Sequence, residues 1–175
     1  FERYELDSQV VNTTCYLDGQ LFIGTDDGLI VVDKEKPLES LPLKKAVTAS
    51  GENLDSMDLI ELLKGRRIRS IVRDREERLW FSTYGAAGLL RYDHGVVTMF
   101  SMKDGLPSDR IRTVIESKDG TIMVACTGGI AMIEGDRVTE VYNEASGISN
   151  TEILTVAEGQ NGEVVVGTDG DGIDR

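Results

Sequence analysis

Apolar residues along this chain come in short runs that alternate with polar ones, and the runs are broken by turn residues every five to seven positions. "IRTVIES" (111–117), "TIMVA" (121–125), "IAMIE" (130–134) and "RVTEVYN" (137–143) follow one another with "KDG" and "GD" among the breaks between them. Runs rich in Val, Ile and Thr and bounded by Gly, Asp and Asn predict strands, and Asp-Gly suits the positive φ angles of a tight hairpin. The pattern recurs. The small pairs Gly24-Thr25, Ser82-Thr83, Ala125-Cys126 and Gly167-Thr168 are spaced by 58, 43 and 42 residues. An apolar residue opens each unit at Val10, Ile68, Ile111 and Ile153, and a turn residue follows nine positions later at Gly19, Glu77, Gly120 and Gly162. A larger apolar side chain comes next at Phe22, Trp80, Met123 and Val165, and a Gly-aliphatic pair returns at Gly28, Gly88, Gly129 and Gly172.

Four short strands repeated at about 42 residues are the signature of a β-propeller blade. The chain is therefore predicted to be all-β, a β-propeller fragment of about four four-stranded blades with one inserted helix near 55–64. The units are drawn at 7–64, 65–104, 105–146 and 147–175. Residues 1–6 take the place of an outer strand of a preceding or closing blade. The last unit stops near its third strand, so the ring closes either within one chain or by exchange with a second copy, and association between chains is the preferred reading. Phe22, Trp80, Met123 and Val165 are expected at equivalent buried places on the second strands.

The long spacing comes from 34–64. "DSMDLIELLKG" (55–65) predicts a helix capped by Asp55 or Ser56, with Leu59, Leu62 and Leu63 on one face and Gly65 at its end. It enters just before an innermost strand, on the rim that also carries the turns between second and third strands. Either it covers exposed blade edges, or it helps shape a ligand site on that rim.

Charge narrows the function. With 19 basic and 31 acidic residues the net charge is −12, which argues against nucleic acid, whose binding requires neutralised phosphates. The basic stretch "KGRRIRSIVRDRE" (64–76) reads as the solvated face of a strand. No apolar run is long enough to span a bilayer, and no leader is visible. The chain starts and stops in mid-pattern and reads as a piece of something longer, so any membrane attachment lies with a parent protein. Cys15 and Cys126 are too few for a disulfide framework and sit in apolar strand patterns, as small buried hydrophobes.

The residues also resemble a known family. "GLPSDRIRTVIESKDGTIMVACTGGIAMI" (105–133) is similar to the two-component regulator propeller repeat, as are "ERLWFSTYGAAGLLRYD" (77–93) and "GISNTEILTVAEGQNGEVVVGTDGDGI" (147–173), with 10–33 the weakest match. The resemblance covers nearly the whole chain outside 34–64. Met123 and Val165 replace the aromatic, and Ala125-Cys126 replaces Gly-Thr. It implies an extracytoplasmic, periplasmic or cell-surface sensory region whose parent continues to a membrane segment and a histidine kinase or diguanylate cyclase output. It offers no catalytic residues.

Candidate chemistry is sparse. "DGDGID" (169–174) superficially resembles a calcium loop but lacks a bidentate Glu at the right distance, so it reads as a hairpin turn, and no metal or cofactor is expected. His94 sits in a turn with no nucleophile or ligand set around it. The innermost strands present Asn12, Ser70, Thr113 and Thr155 at equivalent places, with no titratable group, which disfavours an enzyme. Tyr84, Arg66, Arg67, Asp26, Asp27, Asp169 and Asp171 share the helix-bearing rim and are the candidate ligand-binding residues for a small molecule or glycan. The expected function is ligand sensing without catalysis. The alternatives are a propeller lyase or glycosidase, or a passive protein-interaction scaffold.

Overall fold

The computed structural model describes residues 10–85 and 87–175. Residues 1–6, read above as an outer strand, lie outside the described residues. The chain is mostly β. The first sheet holds β1 (Val11–Leu17), β2 (Gln20–Thr25), β3 (Leu29–Asp33) and β4 (Lys36–Pro37) in sequence order. The second holds β6 (Ile68–Arg73), β7 (Leu79–Thr83), β8 (Leu89–Asp93) and β9 (Val96–Phe100), with β5 (Lys45–Thr48) added outside β9. The third is β10 (Ile111–Glu116), β11 (Ile122–Cys126), β12 (Gly129–Glu134) and β13 (Arg137–Tyr142). The fourth is β14 (Ile153–Glu158), β15 (Val164–Thr168) and β16 (Ile173–Asp174). Each sheet is an antiparallel meander, except that β5 runs parallel to β9. The innermost strands β1, β6, β10 and β14 stand side by side, as blades do around a propeller axis.

The recurring small-residue pair has a structural cause. Thr25, Thr83 and Thr168 each donate a side-chain hydroxyl hydrogen bond to the carbonyl of the glycine that opens the third strand, Gly28, Gly88 and Gly172, at 2.9, 2.7 and 3.1 Å. Cys126 does the same through Sγ to Gly129 at 3.3 Å. The thiol therefore preserves the link that Thr makes elsewhere. Glycine is required at the other end of that link: at Gly88 and Gly129, with φ of 62° and 147°, a Cβ would lie 2.3 Å from the Phe100 carbonyl and 2.2 Å from that of Tyr142. Only glycine permits this approach.

The second-strand column is as expected for three blades. Phe22, Trp80 and Met123 are buried, and Val165 is half-buried. Blade-to-blade packing buries Trp80 with Leu89, Phe100, Ile111 and Val124 of the second and third blades, whereas β15, in the last sheet, is less buried than β7 and β11. Trp80 also donates its indole N–H to Asp74 at 2.7 Å. Asp74 is a buried carboxylate that further accepts from Arg78 Nε at 2.7 Å and from the Arg78 and Glu76 amides. Burial works against its charge, but these donors win and hold it below the usual carboxylate range.

Two expectations need correction. The first is the alignment of the first unit. Val11, not Val10, takes the place of Ile68, Ile111 and Ile153, because Val11 pairs with Thr25 as Ile68 pairs with Thr83. The first unit turns on two residues, Asp18-Gly19, with φ of 50° and 82°, while the others turn on three, 75–77, 118–120 and 160–162. One residue of turn was thus counted as strand. All four innermost strands carry an irregularity directly after this first pair. The second correction concerns 34–64. The helix α1 is short, Leu59–Leu63, and its N-cap is Asp58, whose side chain accepts from the Glu61 amide at 3.0 Å, rather than Asp55 or Ser56. Leu59 and Leu63 are fully buried among Phe22, Leu29, Leu43 and Ile68, and Leu62 packs at the margin. The helix fills the seam between the first two blades. The same insertion supplies β5 to the second sheet, so residues drawn into the first unit complete the second blade's outer edge. No helix among the described residues is long and apolar enough to cross a membrane.

Candidate functional site

One rim of the arc gathers the turns between second and third strands and the entries to the innermost strands. Backbone hydrogen bonds fix this meeting in each blade: the amides of Asp26, Tyr84, Thr127 and Asp169 donate to the carbonyls of Val10, Arg67, Arg110 and Glu152. Others stitch each turn to the next blade's entry, Gly65 N–H to Asp27, Gly85 N–H to Asp109 and Gly128 N–H to Thr151. This periodic scaffold brings together what the sequence spaced far apart.

On this rim a cavity of about 350 Å³ is lined by Asp26, Arg66, Arg67, Thr83 and Tyr84, with the backbone around Gly65 and Gly85. Four of the candidate residues thus meet. Asp27 contributes its carbonyl to the seam but not its side chain to the cavity lining. Asp169 and Asp171 lie two blades away, where Asn150 Nδ2 donates to the Asp169 carbonyl at 2.8 Å and to Asp171 Oδ2 at 2.9 Å. They belong to their own turn. The position of α1 also answers how it relates to this site: its C-terminal end and Lys64 reach the cavity wall, and Arg66 Nε donates to the Leu62 carbonyl at 2.8 Å.

The centre of the site is Tyr84. Its ring has the guanidinium of Arg112 at 4.9 Å, that of Arg69 at 5.0 Å and that of Arg110 at 5.6 Å from its centroid. Tyr84 is therefore not a bare stacking platform. It is a hub whose ring quadrupole holds three cations, each contact contributing about 0.5–1 kcal/mol at an exposed position. A fourth, Arg67, places Nε 2.7 Å from Asp26 Oδ1. Asp26 is itself tethered by Asn12, whose Nδ2 donates to Oδ1 at 2.8 Å and to the Ile68 carbonyl at 3.0 Å. Those contacts, first the Asn12 hydrogen bond and then the Arg67 charge, hold the Asp26 carboxyl below its ordinary range. Burial pushes the Arg69 guanidinium down from its usual value, and the neighbouring charges of Arg67 and Arg112 add to that effect.

The arginines correct the reading of 64–76 as a solvated strand face. Arg67 and Arg69 turn into the Tyr84 cluster and Asp74 is buried, while Arg73 keeps the solvated place, paired with Glu77. They also correct the column that set Asn12 beside Ser70, Thr113 and Thr155. With the first blade realigned, Asn12, Arg69, Arg112 and Leu154 share one column, at the irregularity after the first strand pair, and Thr13, Ser70, Thr113 and Thr155 share the next. Arg69, Arg110 and Arg112 were missed, yet a signal was present: "RIRS" (67–70) and "RIRT" (110–113) repeat the same four-residue frame in adjacent units. The Nε groups of Arg69 and Arg112 are buried without a hydrogen-bond acceptor among the described residues, a placement that costs about 1–3 kcal/mol per group.

His94 lies on the opposite rim, in the β8–β9 turn, with Nδ1 2.9 Å from Asp93 Oδ1 and Nε2 3.3 Å from Asp18 Oδ2. The hydrogen bond to Asp93 raises its pKa above the ordinary value. Cys126 is buried, and burial pushes its thiol up to about 12.

Comparison with known proteins agrees with this architecture. Residues 62–85, which include all of the cavity lining except Asp26, match the family described as Two component regulator propeller. No curated protein sequence matches the chain. Among solved structures, the chain is similar to the extracellular domain of a hybrid two component system from B. thetaiotaomicron, with a TM-score of 0.68, 23% identity, and coverage of 96% of this chain and 21% of that one. It is also similar to virginiamycin B lyase from Staphylococcus aureus, at a TM-score of 0.63, 13% identity, and coverage of 94% and 52%. The WD40 β-propeller domain of Doa1 gives 0.59, 14%, 90% and 47%. The chain spans about a fifth of the length of the first of these and about half that of the others, and the likenesses establish a propeller fold. The chain is an arc of β-propeller blades in which residues 62–85 match the two component regulator propeller family.

Proposed function

We propose that this chain is part of the ligand-sensing, extracytoplasmic propeller of a bacterial membrane signalling receptor, of two-component or diguanylate cyclase type, and that it is itself non-catalytic. The observation that carries this reading is the coincidence of the family-matching segment with the cavity beside Tyr84: Arg66, Arg67, Thr83 and Tyr84 all lie within 62–85. A concave site with a few convergent polar groups on a rigid scaffold is what small-molecule recognition requires. The membrane anchor and the kinase or cyclase output belong to the parent protein, and the ligand acts by favouring one arrangement of the propeller relative to its neighbours. The cavity side chains suit binding better than proton transfer, since the one carboxylate lining it, Asp26, is committed to Asn12 and Arg67.

Thermal melting of the purified chain against a library of metabolites and glycans tests the reading. A ligand that raises the melting temperature and loses its effect on Arg67→Ala or Tyr84→Ala supports it. Turnover of a library compound by the chain, or stabilisation that ignores both substitutions, contradicts it.

A further inference from the structure

The cavity leaves the chemistry of its occupant open, but its surroundings do not. Four guanidinium groups, those of Arg67, Arg69, Arg110 and Arg112, converge on and around Tyr84. Among the described residues, the carboxylates that answer them are two: Asp26 at 2.7 Å from Arg67, and Glu152 at 4.0 Å from Arg112. The imbalance stands in a chain of net charge −12, so it is a local reversal of the molecule's field and not part of a general basic surface. Like charges packed this closely repel, and in a concave, low-dielectric mouth their field is focused outward.

We infer that the rim beside Tyr84 is an oxyanion-binding site, whose ligand presents a carboxylate, sulfate or phosphate group to Arg69, Arg110 and Arg112 and lodges its remainder in the adjoining 350 Å³ cavity. The inference rests on the proposed ligand-sensing role only for its biological use; the charge argument is independent of it. Guanidinium groups fit these anions because their planar donors match two anion oxygens at once. Tyr84 serves as a positioning residue: its ring holds three arginines in place before the anion arrives, which reduces the ordering cost of binding. Asn12 and Asp26 play the same part for Arg67. Hydroxyl-only ligands gain little from such a site, because they leave its positive charges unanswered. Lowering of the Arg69 pKa by burial and by neighbouring cations has the sign this account needs, since a bound anion removes that strain.

The test is nuclear magnetic resonance of the arginine Nε–H groups in the 175-residue chain, titrated separately with sodium sulfate, phosphate and acetate against sodium chloride at equal ionic strength. The expected result is saturable shifts of the Arg69 and Arg112 signals with at least one oxyanion and none with chloride. The anion that gives the tightest saturation identifies the ligand's charged group. Arg69→Ala and Arg112→Ala should each weaken binding about tenfold or more. Arg69→Lys should retain part of it and so separate charge from folding, and Arg73→Ala, at the far end of the same strand, should leave it unchanged. Signals that stay unmoved with all three oxyanions, while a neutral compound stabilises the chain through Tyr84, overturn the oxyanion class and leave the sensor reading intact. Oxyanion binding abolished by Arg112→Ala without any effect on signalling by the full parent leaves the site standing and overturns the sensor reading instead.

Discussion

The second and third blades and the two that flank them are built on one backbone plan, yet only the middle pair places arginines at the start of its innermost strands. Strands β1, β6, β10 and β14 share their pairing and the same irregularity after the first pair. At that irregularity the middle blades place Arg69 and Arg112, while the flanking blades place Asn12 and Leu154. The residues two positions earlier are Arg67 and Arg110 in the middle and Val10 and Glu152 outside. The scaffold fixes where a side chain emerges, and the identity of that side chain decides what the rim can bind. A propeller can change its ligand without changing its fold because the bonds that close each rim are made by backbone amides.

The sharpest way to break the shared plan is through the core. Trp80→Ala removes a fully buried side chain and the indole donor to Asp74, and about 3–5 kcal/mol of stability should be lost in denaturant titration. Val165→Ala, at the equivalent place in the half-buried last blade, should cost about 1 kcal/mol or less. Equal losses would show that the blades do not pack as described. Next in size is Gly129→Ala, where the added methyl meets the Tyr142 carbonyl at a φ of 147°; about 1–3 kcal/mol is expected, and a neutral result would remove the explanation offered for the glycine column. Asp58→Ala deletes the cap of α1 and should cost about 1 kcal/mol, read as a lower melting temperature with the blades intact.

Acid should act on the second blade in particular. Asp74 has a folded pKa held below its unfolded value near 4. Its charge therefore stabilises the fold above about pH 4, and that contribution fades as pH falls through the lower folded value. Asp74→Asn should flatten the fall in stability below pH 4. The smallest effect concerns the thiols. Cys126 is buried, with its pKa pushed up to about 12, and should resist a thiol reagent in the folded chain. Half-buried Cys15 should label first, and prompt labelling of Cys126 would show that the third blade opens locally.

The fold was legible because its signals repeat: the link from Thr or Cys to glycine and the second-strand apolar residue mark each blade in turn. Repetition also limited the reading. Aligning the units on their turn residues hid the shorter Asp18-Gly19 turn, shifted the first blade by one residue, and grouped Asn12 with Ser70 rather than with Arg69. Arg69 and Arg112 stood in register under either alignment, directly before the Ser70 and Thr113 column that was read for chemistry. Arg66, Arg67, Tyr84 and Asp26 line one cavity, and topology alone was enough to set them on one rim. The distance of Asp169 and Asp171 from that group depends on which blade is which, and a rim assignment does not carry that information. The insertion gave up its helix through the Leu59–Leu63 pattern but not β5, since a four-residue strand bound to another unit's edge leaves no periodic trace.

The central claim is that the column after the first strand pair carries the chemistry and the remainder carries the fold. The most direct test is the double variant Arg69→Asn with Arg112→Leu, which gives the middle blades the residues that the flanking blades already hold. Calorimetric titration with the tightest-binding oxyanion and thermal melting should be run on the same sample. The account predicts a melting temperature within a few degrees of the parent chain and no detectable anion binding. Undiminished binding, or loss of the fold itself, would contradict it.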